Sequence, residues 1–519
     1  MGTSTKPEFP GDTSRKLFYT DATSLYSVAM LQKLPVSDFT YLSEDEIEKF
    51  DVTGDEWDVN GEFGYFLLCD IDYPEELHKT HSEMPFFPER KKIDFDQLSP
   101  YSQSLLKKLG NDKTSLNTPK LVGDLNPKLN YGVHWKYLQI GLRAGLKISK
   151  IHQIIKFKQD AICEKYIRLC VKSRSNAKNP FEKELYKLAQ NAIFGKFLEN
   201  IRKRTKVNFI TSKKLLKKHS TKATYTDIKY VTNKLVISYH RQETVVLDRF
   251  PYIGSAILDL GKCHIMKTLY FDLMPHLGED FRIIFGDTDS LFIMYKSTSK
   301  DNNDLMKKII KIMDTSNYEP DHELYSKERK AVPNYFKDES GGSKIYQSIV
   351  AASVKMYHVL AVKKEDFGKE DAKLEPTVKA KGVPTKTAAQ LTHAEYLECV
   401  LEAKKFYRDY QSICIKDYIL TTNKVTKLAL SAGDTKRYWL CPQHSLPYGH
   451  YEIKYLVHGV CKYCEQDKLE KRTRVFKKRK IESQQVGIAP KRLNIKNQVF
   501  FPRNSAGYII PWEKKKKFN

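Results

Sequence analysis

A chain of 519 residues with 41% hydrophobic and 12% aromatic residues carries enough apolar material for two to four domains with a sizeable core, which excludes a disordered protein. Lys and Arg number 88 against 63 Asp and Glu; the net charge of +25 suits a surface that tracks a phosphate backbone, although a ribosome-associated or membrane-surface protein could be as basic. No run of 18 apolar residues and no N-terminal apolar stretch supports a membrane span or a signal peptide, and nine scattered cysteines, an odd number, suit reduced thiols inside a cell.

Residues 1–16 are polar and bear Pro and Gly, which reads as a loose lead-in. Leu17-Phe18-Tyr19 reads as a strand that delivers Asp21 to its end, before a turn of small polar residues and the apolar pair Leu25-Tyr26. After an acidic patch at 43–58, the alternation in GEFGYFLLCDIDY predicts a strand with Asp70 and Asp72 on one face, open to reading as a metal pair or, ahead of Pro74, as structural acids. His134-Trp135-Lys136-Tyr137 and Lys156-Phe157-Lys158 interleave cations with aromatics as a backbone-binding surface would, with Trp135 itself read as core. Around a helix in FEKELYKLAQNAIFGK, Lys183, Lys187, Asn191 and Phe194 fall within about 80° of one another and Leu185, Leu188, Ala189 and Ala192 on the opposite side. Such a helix would bury the second set and present two ammonium groups, an amide and a ring, which suits a triphosphate and a base; a merely solvated lysine face is the other reading.

Strands over 230–239 and 244–247, joined by His240-Arg241-Gln242-Glu243, predict a β-hairpin, and AILDLGKCHIMKTLYFDLM has helical apolar spacing. FGDTDSLF places Asp287 and Asp289 at the tip of a second hairpin, between apolar runs at 282–285 and 291–295. Two unpaired acids so close cost Coulomb repulsion, which a divalent cation bridging phosphate oxygens converts into function; a solvated Asp-rich turn is the alternative. SIVAASVKMYHVLAV reads as one strand with Lys355 and Tyr357 on the same face, and LTHAEYLECVLEAKKFYRDYQ as an amphipathic helix. Cys441-Pro442-Gln443-His444 and Cys461-Lys462-Tyr463-Cys464 have spacings compatible with a tetrahedral structural Zn²⁺ site, or with two unrelated cysteine-bearing turns. A basic tail follows, with cationic runs at 477–480 and 514–517.

Three of these stretches, in this order and spacing, resemble the motifs of family B DNA polymerases: Asp21-Ala22-Thr23-Ser24-Leu25-Tyr26 looks like motif A, the segment from Lys187 to Lys196 like motif B, and Asp287-Thr288-Asp289-Ser290 like motif C. DYPEELHKTHSEMPFFPER, HWKYLQIGLRAGLKISKIHQIIKFKQ, KNPFEKELYKLAQNAIFGKFLENIRKR and KLALSAGDTKRYWL narrow the likeness to the protein-primed branch, toward the polymerases of polinton (maverick) elements and related viruses, over residues from about 15 to 455. The resemblance implies an α+β right-hand fold. Its parts would be a lead-in and first palm segment (1–59), an insertion of terminal-protein-contact type (60–165), fingers (166–205), a β-hairpin insertion (206–248), palm (249–375), thumb (376–455) and a basic tail (456–519). With no room ahead of motif A for a 3′–5′ exonuclease domain, the chain is expected to lack proofreading.

The resemblance also implies roles. Asp21 and Asp287 would hold two Mg²⁺ ions, with Asp289 catalytic but more peripheral; Tyr26, with Leu25, would lie under the sugar of the incoming nucleotide. Arg174, Lys183 and Lys187 would hold the triphosphate, Asn191, Phe194 and Gly195 would cradle the nascent base pair, and Lys355, Tyr357 and Lys381 would meet the primer. Template-primer DNA, dNTPs and a terminal priming protein are the implied partners, with no membrane, in the nucleus or at a viral replication site. Ser27 stands where many family members have Pro, and Ala192 where Ser is common. A reverse transcriptase or RNA polymerase usually carries adjacent acids in motif C, whereas Thr288 separates them here; a non-catalytic DNA-binding remnant would have no reason to keep Asp21, Lys187, Asp287 and Asp289.

Overall fold

The structure is a computed structural model that describes residues 15–52, 61–110, 116–278, 281–299, 301, 303–369, 371–416, 419–442, 444–456, 461, 463 and 464. The lead-in up to residue 14 and the cationic runs at 477–480 and 514–517 lie outside the described residues. Helices and strands are mixed along the chain, and no described helix is long and apolar enough to cross a membrane.

Everything is arranged around an antiparallel sheet in the order Phe281–Gly286, Ser290–Lys296, Arg15–Ala22, Phe336–Asp338. Side chains alternate across a strand, and here both faces are covered. Phe18, Ala22, Leu291, Ile293 and Tyr295 pack on one side with Leu269 and Leu273. Leu17, Phe285, Phe292 and Met294 pack on the other against Tyr357 and Val359. The helix Pro251–Lys267 and the π-helical turn Thr268–Leu273 that continues it run beneath: Ile265 enters the first of these cores, Met266 the core of a second sheet, and Ile253, Ala256, Ile257 and Leu260 a third cluster.

The second sheet has the order Leu34–Tyr41, Lys147–Asp160, Phe63–Asp72, Lys128–His134. Of the aromatic-basic segments expected to bind a phosphate backbone, the first is built into its core instead, and the second buries its aromatic while leaving Lys158 exposed. His134, Trp135, Lys136 and Tyr137 are all buried, and Phe157 is fully so, with Lys158 paired to Glu62 at 2.8 Å and Lys156 lying over the Phe63 ring. Interleaving alone does not decide exposure: on a strand, neighbours of a buried aromatic point to the opposite face, so Phe157 is buried while Lys158 beside it stays exposed. Trp135 is core, as read, and Asp70 is structural, accepting from the Asn130 backbone N–H at 2.7 Å and pairing with His152 at 2.8 Å. The same core leaves no room at Gly141, where a Cβ would come within 2.4 Å of the Phe87 ring. Gly141→Ala is therefore expected to destabilise the protein by about 1–3 kcal/mol in chemical denaturation, the cost of overpacking a filled interior; an unchanged midpoint would mean that Phe87 can move aside.

Three predicted boundaries shift. The hairpin between the second and third motifs turns at Asn233-Lys234, joining Tyr225–Thr232 to Leu235–Arg241, with Thr205–Ile210 as a third strand, and residues 244–247 form no strand. SIVAASVKMYHVLAV is a hairpin, Lys344–Ser353 with Met356–Lys363, turning at Val354-Lys355. The second turn has no breaker residue, and the first has only Asn233 to mark it, so each run reads as continuous. The amphipathic helix His393–Leu401 ends early; Ala403 takes a left-handed φ of 60°, and FYRDYQ opens the long ribbon Phe406–Lys416 with Ile419–Leu430. From that ribbon the chain returns to the second sheet's insertions: Arg437 donates to the Ser82 carbonyl at 2.9 Å, the Leu125 N–H to the Tyr448 carbonyl at 2.8 Å, and the Tyr451 N–H to His78 Nδ1 at 3.0 Å.

Candidate active site

The register of the central sheet brings the first acid to the other two. Asp21 pairs with Ser290, and the Ala22 N–H donates to the Asp289 carbonyl at 2.7 Å, so the end of Arg15–Ala22 abuts the turn that carries Asp287 and Asp289. That turn is closed by the Asp287 N–H on the Ser290 carbonyl at 3.1 Å and the Asp289 N–H on the Asp287 carbonyl at 2.8 Å, with Thr288 held at a left-handed φ of 69°. A non-glycine residue there costs about 1–3 kcal/mol and marks a turn shaped for something other than stability.

The electrostatics agree. Burial, then the charges of Asp289 and Glu339, push the Asp21 carboxyl up to about 7, and Lys187 is the cation that opposes them. Burial and the neighbouring Asp287 also push Asp289 up. Lys355, at φ 62° in the turn before Met356–Lys363 and not within a strand, brings its ammonium 3.4 Å from Asp287. An all-oxygen donor set of three neighbouring carboxyls, two of them partly buried, fits a hard divalent cation such as Mg²⁺. The three acids nonetheless lie more openly than the sulfur-rich group described below, the only one among the described residues whose ligand atoms all gather within 4.8 Å.

The lysine helix Pro180–Phe197 leans over this acidic end, but on a different face from the one expected. Leu185 and Leu188 are 48% and 66% exposed, while Gln190 is buried, and Ile193, Phe194 and Phe197 pack against the cluster beneath. Positions 190, 193, 194 and 197 form the seated stripe, and Lys183 and Lys187 continue it toward the helix N-terminus; counting hydrophobic letters hid this because the central contact is made by an amide. Gln190 Nε2 donates to the buried Ser27 hydroxyl at 2.6 Å. Phe194 stacks on Tyr26, centroids 4.4 Å apart and planes 10° from parallel, and the Tyr26 hydroxyl feels Asp289. Arg174, from the helix Glu164–Ser175, reaches the Ser24 hydroxyl at 3.5 Å. Asn191 and Gly195 are exposed, and a Cβ on Gly195 would meet no atom within 4 Å.

Other residues lie elsewhere than the motifs suggest. Leu25 is buried in the central core, which leaves only its backbone to offer a ligand. Tyr357 is buried too, stacked on Phe285 with centroids 4.3 Å apart and hydrogen-bonded to Tyr19, and so supports the Asp287 turn from below. Lys381 is exposed in a turn before Gly382. Sequence reading missed Gln190, Ser27 and Glu339; the last follows the short strand Phe336–Asp338 and is tied to the first strand by its N–H on the Tyr19 carbonyl at 3.0 Å. No local pattern marks it, since its position depends on an edge pairing between segments remote in sequence.

Away from this site, Cys441, His444, Cys461 and Cys464 converge, His444 Nδ1 lying 3.4, 3.6 and 3.4 Å from the three sulfurs in that order.

Residues 1–253 match the family described as DNA polymerase type B, organellar and viral. No curated protein matches the chain. Among solved structures, the chain is similar to Phi29 DNA polymerase complexed with primer-template DNA, at 14% identity and a TM-score of 0.43, and to the ternary complex of that polymerase with primer-template DNA and incoming nucleotides, at 15% and 0.44. Each comparison covers 80% of this chain, which spans only 58% of the Phi29 chain.

Proposed function

We propose that the chain is a DNA-directed DNA polymerase that adds dNTPs to a primer 3′-hydroxyl by two-metal nucleotidyl transfer, with the central sheet as palm, the lysine helix as fingers and residues 376–455 as thumb. Replication of a mobile element or viral genome by protein priming is the setting, with a terminal protein as partner. The observation that carries the reading is the meeting of Asp21, Asp287 and Asp289 at one end of the sheet, with Lys187 as the opposing cation and the Tyr26–Phe194 stack alongside. The match of residues 1–253 to an organellar and viral polymerase family supports it.

Asp21 and Asp287 would hold the Mg²⁺ ions, with Asp289 beside them. When bound, such ions acidify the primer hydroxyl and neutralise charge on the leaving pyrophosphate. The chain's own part is positioning. Lys187 and Lys183 along one stripe, with Arg174 across from them, receive the triphosphate. The Phe194 ring with Asn191 and open Gly195 receive the base pair, and Tyr26 packs against the sugar. Lys355 holds Asp287 in place until DNA arrives and, with Lys381, follows the primer backbone.

Primer extension by the purified protein with Mg²⁺ and dNTPs tests the reading: template-directed, Mg²⁺-dependent extension is expected, and DNA binding with no extension under any divalent cation would make the chain a binding remnant. Tyr26→Ala is expected to raise ribonucleotide incorporation by roughly 10-fold or more, since a steric contact worth about 1.4 kcal/mol is tenfold in selectivity. Single-nucleotide insertion with dNTP and rNTP in parallel measures it, and unchanged discrimination would move the sugar gate to another residue.

A further inference from the structure

The geometry points to a structural zinc site built from Cys441, His444, Cys461 and Cys464, which staples the end of the described chain onto the insertions of the second sheet. A tetrahedral Zn²⁺ with thiolates at about 2.3 Å and imidazole at about 2.0–2.1 Å has edges of roughly 3.8 Å between sulfurs and 3.5 Å between sulfur and nitrogen. The chain shows 3.6 Å between the sulfurs of Cys441 and Cys464, and 3.4 to 3.6 Å from His444 Nδ1 to all three thiols. A disulfide accounts for none of this: it would bring two sulfurs to about 2.05 Å and leave the third thiol and the imidazole converging on nothing.

Two knuckles supply the ligands. Cys441 and His444 face each other in the short hairpin of Tyr438–Cys441 with His444–Leu446, and Cys461 and Cys464 meet them from farther along the chain. His444 is 8% exposed, and its ring stacks on Tyr463, whose hydroxyl donates to the Glu452 carboxylate. Such outer contacts hold the plane of a ligating imidazole in place. The site closes a span docked on the second sheet's insertions, through Arg437 to Ser82, Tyr451 to His78, and Lys120 to Thr435 at 2.6 Å. Metal binding therefore locks the end of the described chain to a layer built from its first third, beyond the long ribbon Phe406–Lys416 with Ile419–Leu430, whose base packs with the helix in its own core.

Metal analysis of the full chain, purified under reducing conditions without chelator, is expected to find about one equivalent of zinc, lost in Cys464→Ser and kept in Cys414→Ser, a hairpin cysteine outside the quartet. Since Cys464→Ser could unfold the end of the chain, the reduced wild-type protein is also titrated with Co²⁺, where the visible absorption of a tetrahedral thiolate site is expected at one equivalent. Zinc below about a tenth of an equivalent together with no such absorption overturns the site, and so does full zinc content in Cys464→Ser. Neither readout depends on primer extension.

Discussion

Asp287→Asn is expected to abolish primer extension while leaving DNA affinity at the wild-type level. The substitution keeps the size of the side chain and the backbone bonds that shape the turn, the Asp287 N–H on Ser290 and the Asp289 N–H on Asp287, and it removes one negative charge from the acid cluster. Lys355, 3.4 Å away, would lose its ionic partner, which adds cationic character to the primer side and takes none away. Losing a group aimed at developing charge costs on the order of 10²–10³ in rate even when a single neutral donor is removed, so a metal ligand should cost at least that much. Single-turnover extension on a saturating primer-template, beside a gel shift at the same salt, separates the two effects. Extension within a few-fold of wild type would take Asp287 out of the metal set.

Asp21→Asn should likewise silence extension, and it should also stabilise the metal-free protein above neutral pH. With burial and its acidic neighbours holding the Asp21 carboxyl up at about 7, the folded state binds a proton there that the unfolded chain, near its ordinary 3.8, has released. Between those values the folded state carries more protons, so its stability falls as pH rises; the contribution is fully present below about 4 and lost by the time pH has passed about 7. Asn cannot ionise and escapes the loss, which amounts to about 1–2 kcal/mol after discounting for the solvent that still reaches the carboxyl. Thermal melts in EDTA at pH 5 and pH 8 should show the variant's advantage growing with pH, and Mg²⁺ should narrow it by restabilising the wild type alone. In the wild type, Mg²⁺ affinity should weaken as pH drops below about 7. A variant advantage independent of pH would mean that Asp21 is ionised throughout.

What could be read in the letters was what a local rule governs. The hairpin at Asp287 is announced by Gly286 and the polar turn between apolar runs, and the cysteine quartet by two short spacings, because turn chemistry and chelate geometry act over a few residues. The seated face of the lysine helix was not legible, since its central contact is Gln190 on Ser27, a pairing that neither hydropathy nor periodicity registers. The turn at Lys355 escaped for a related reason: Lys355 adopts a left-handed φ without being Gly or Asn, a conformation imposed by the surrounding fold. The buried His134 to Tyr137 segment shows the reverse error, in which cations beside aromatics suggested a surface although the aromatics had already committed the stretch to the interior.

The central sheet also sets a schedule. Its first strand, Arg15–Ala22, has its neighbours in Ser290–Lys296 and Phe336–Asp338 and cannot pair until those segments exist. At ribosomal speeds of about 5–20 residues per second, that leaves a strand with Leu17 and Phe18 in it unpaired for on the order of tens of seconds, while the second sheet, complete by residue 160, is free to form early. The loop-closure entropy of so remote a pairing comes due late, so the acidic cluster assembles only after the second sheet can, and refolding from denaturant should be slow. During synthesis, an apolar strand awaiting its partner is a natural target for chaperone capture, and its exposure makes yield, more than final stability, the quantity that mutations in Arg15–Ala22 will disturb.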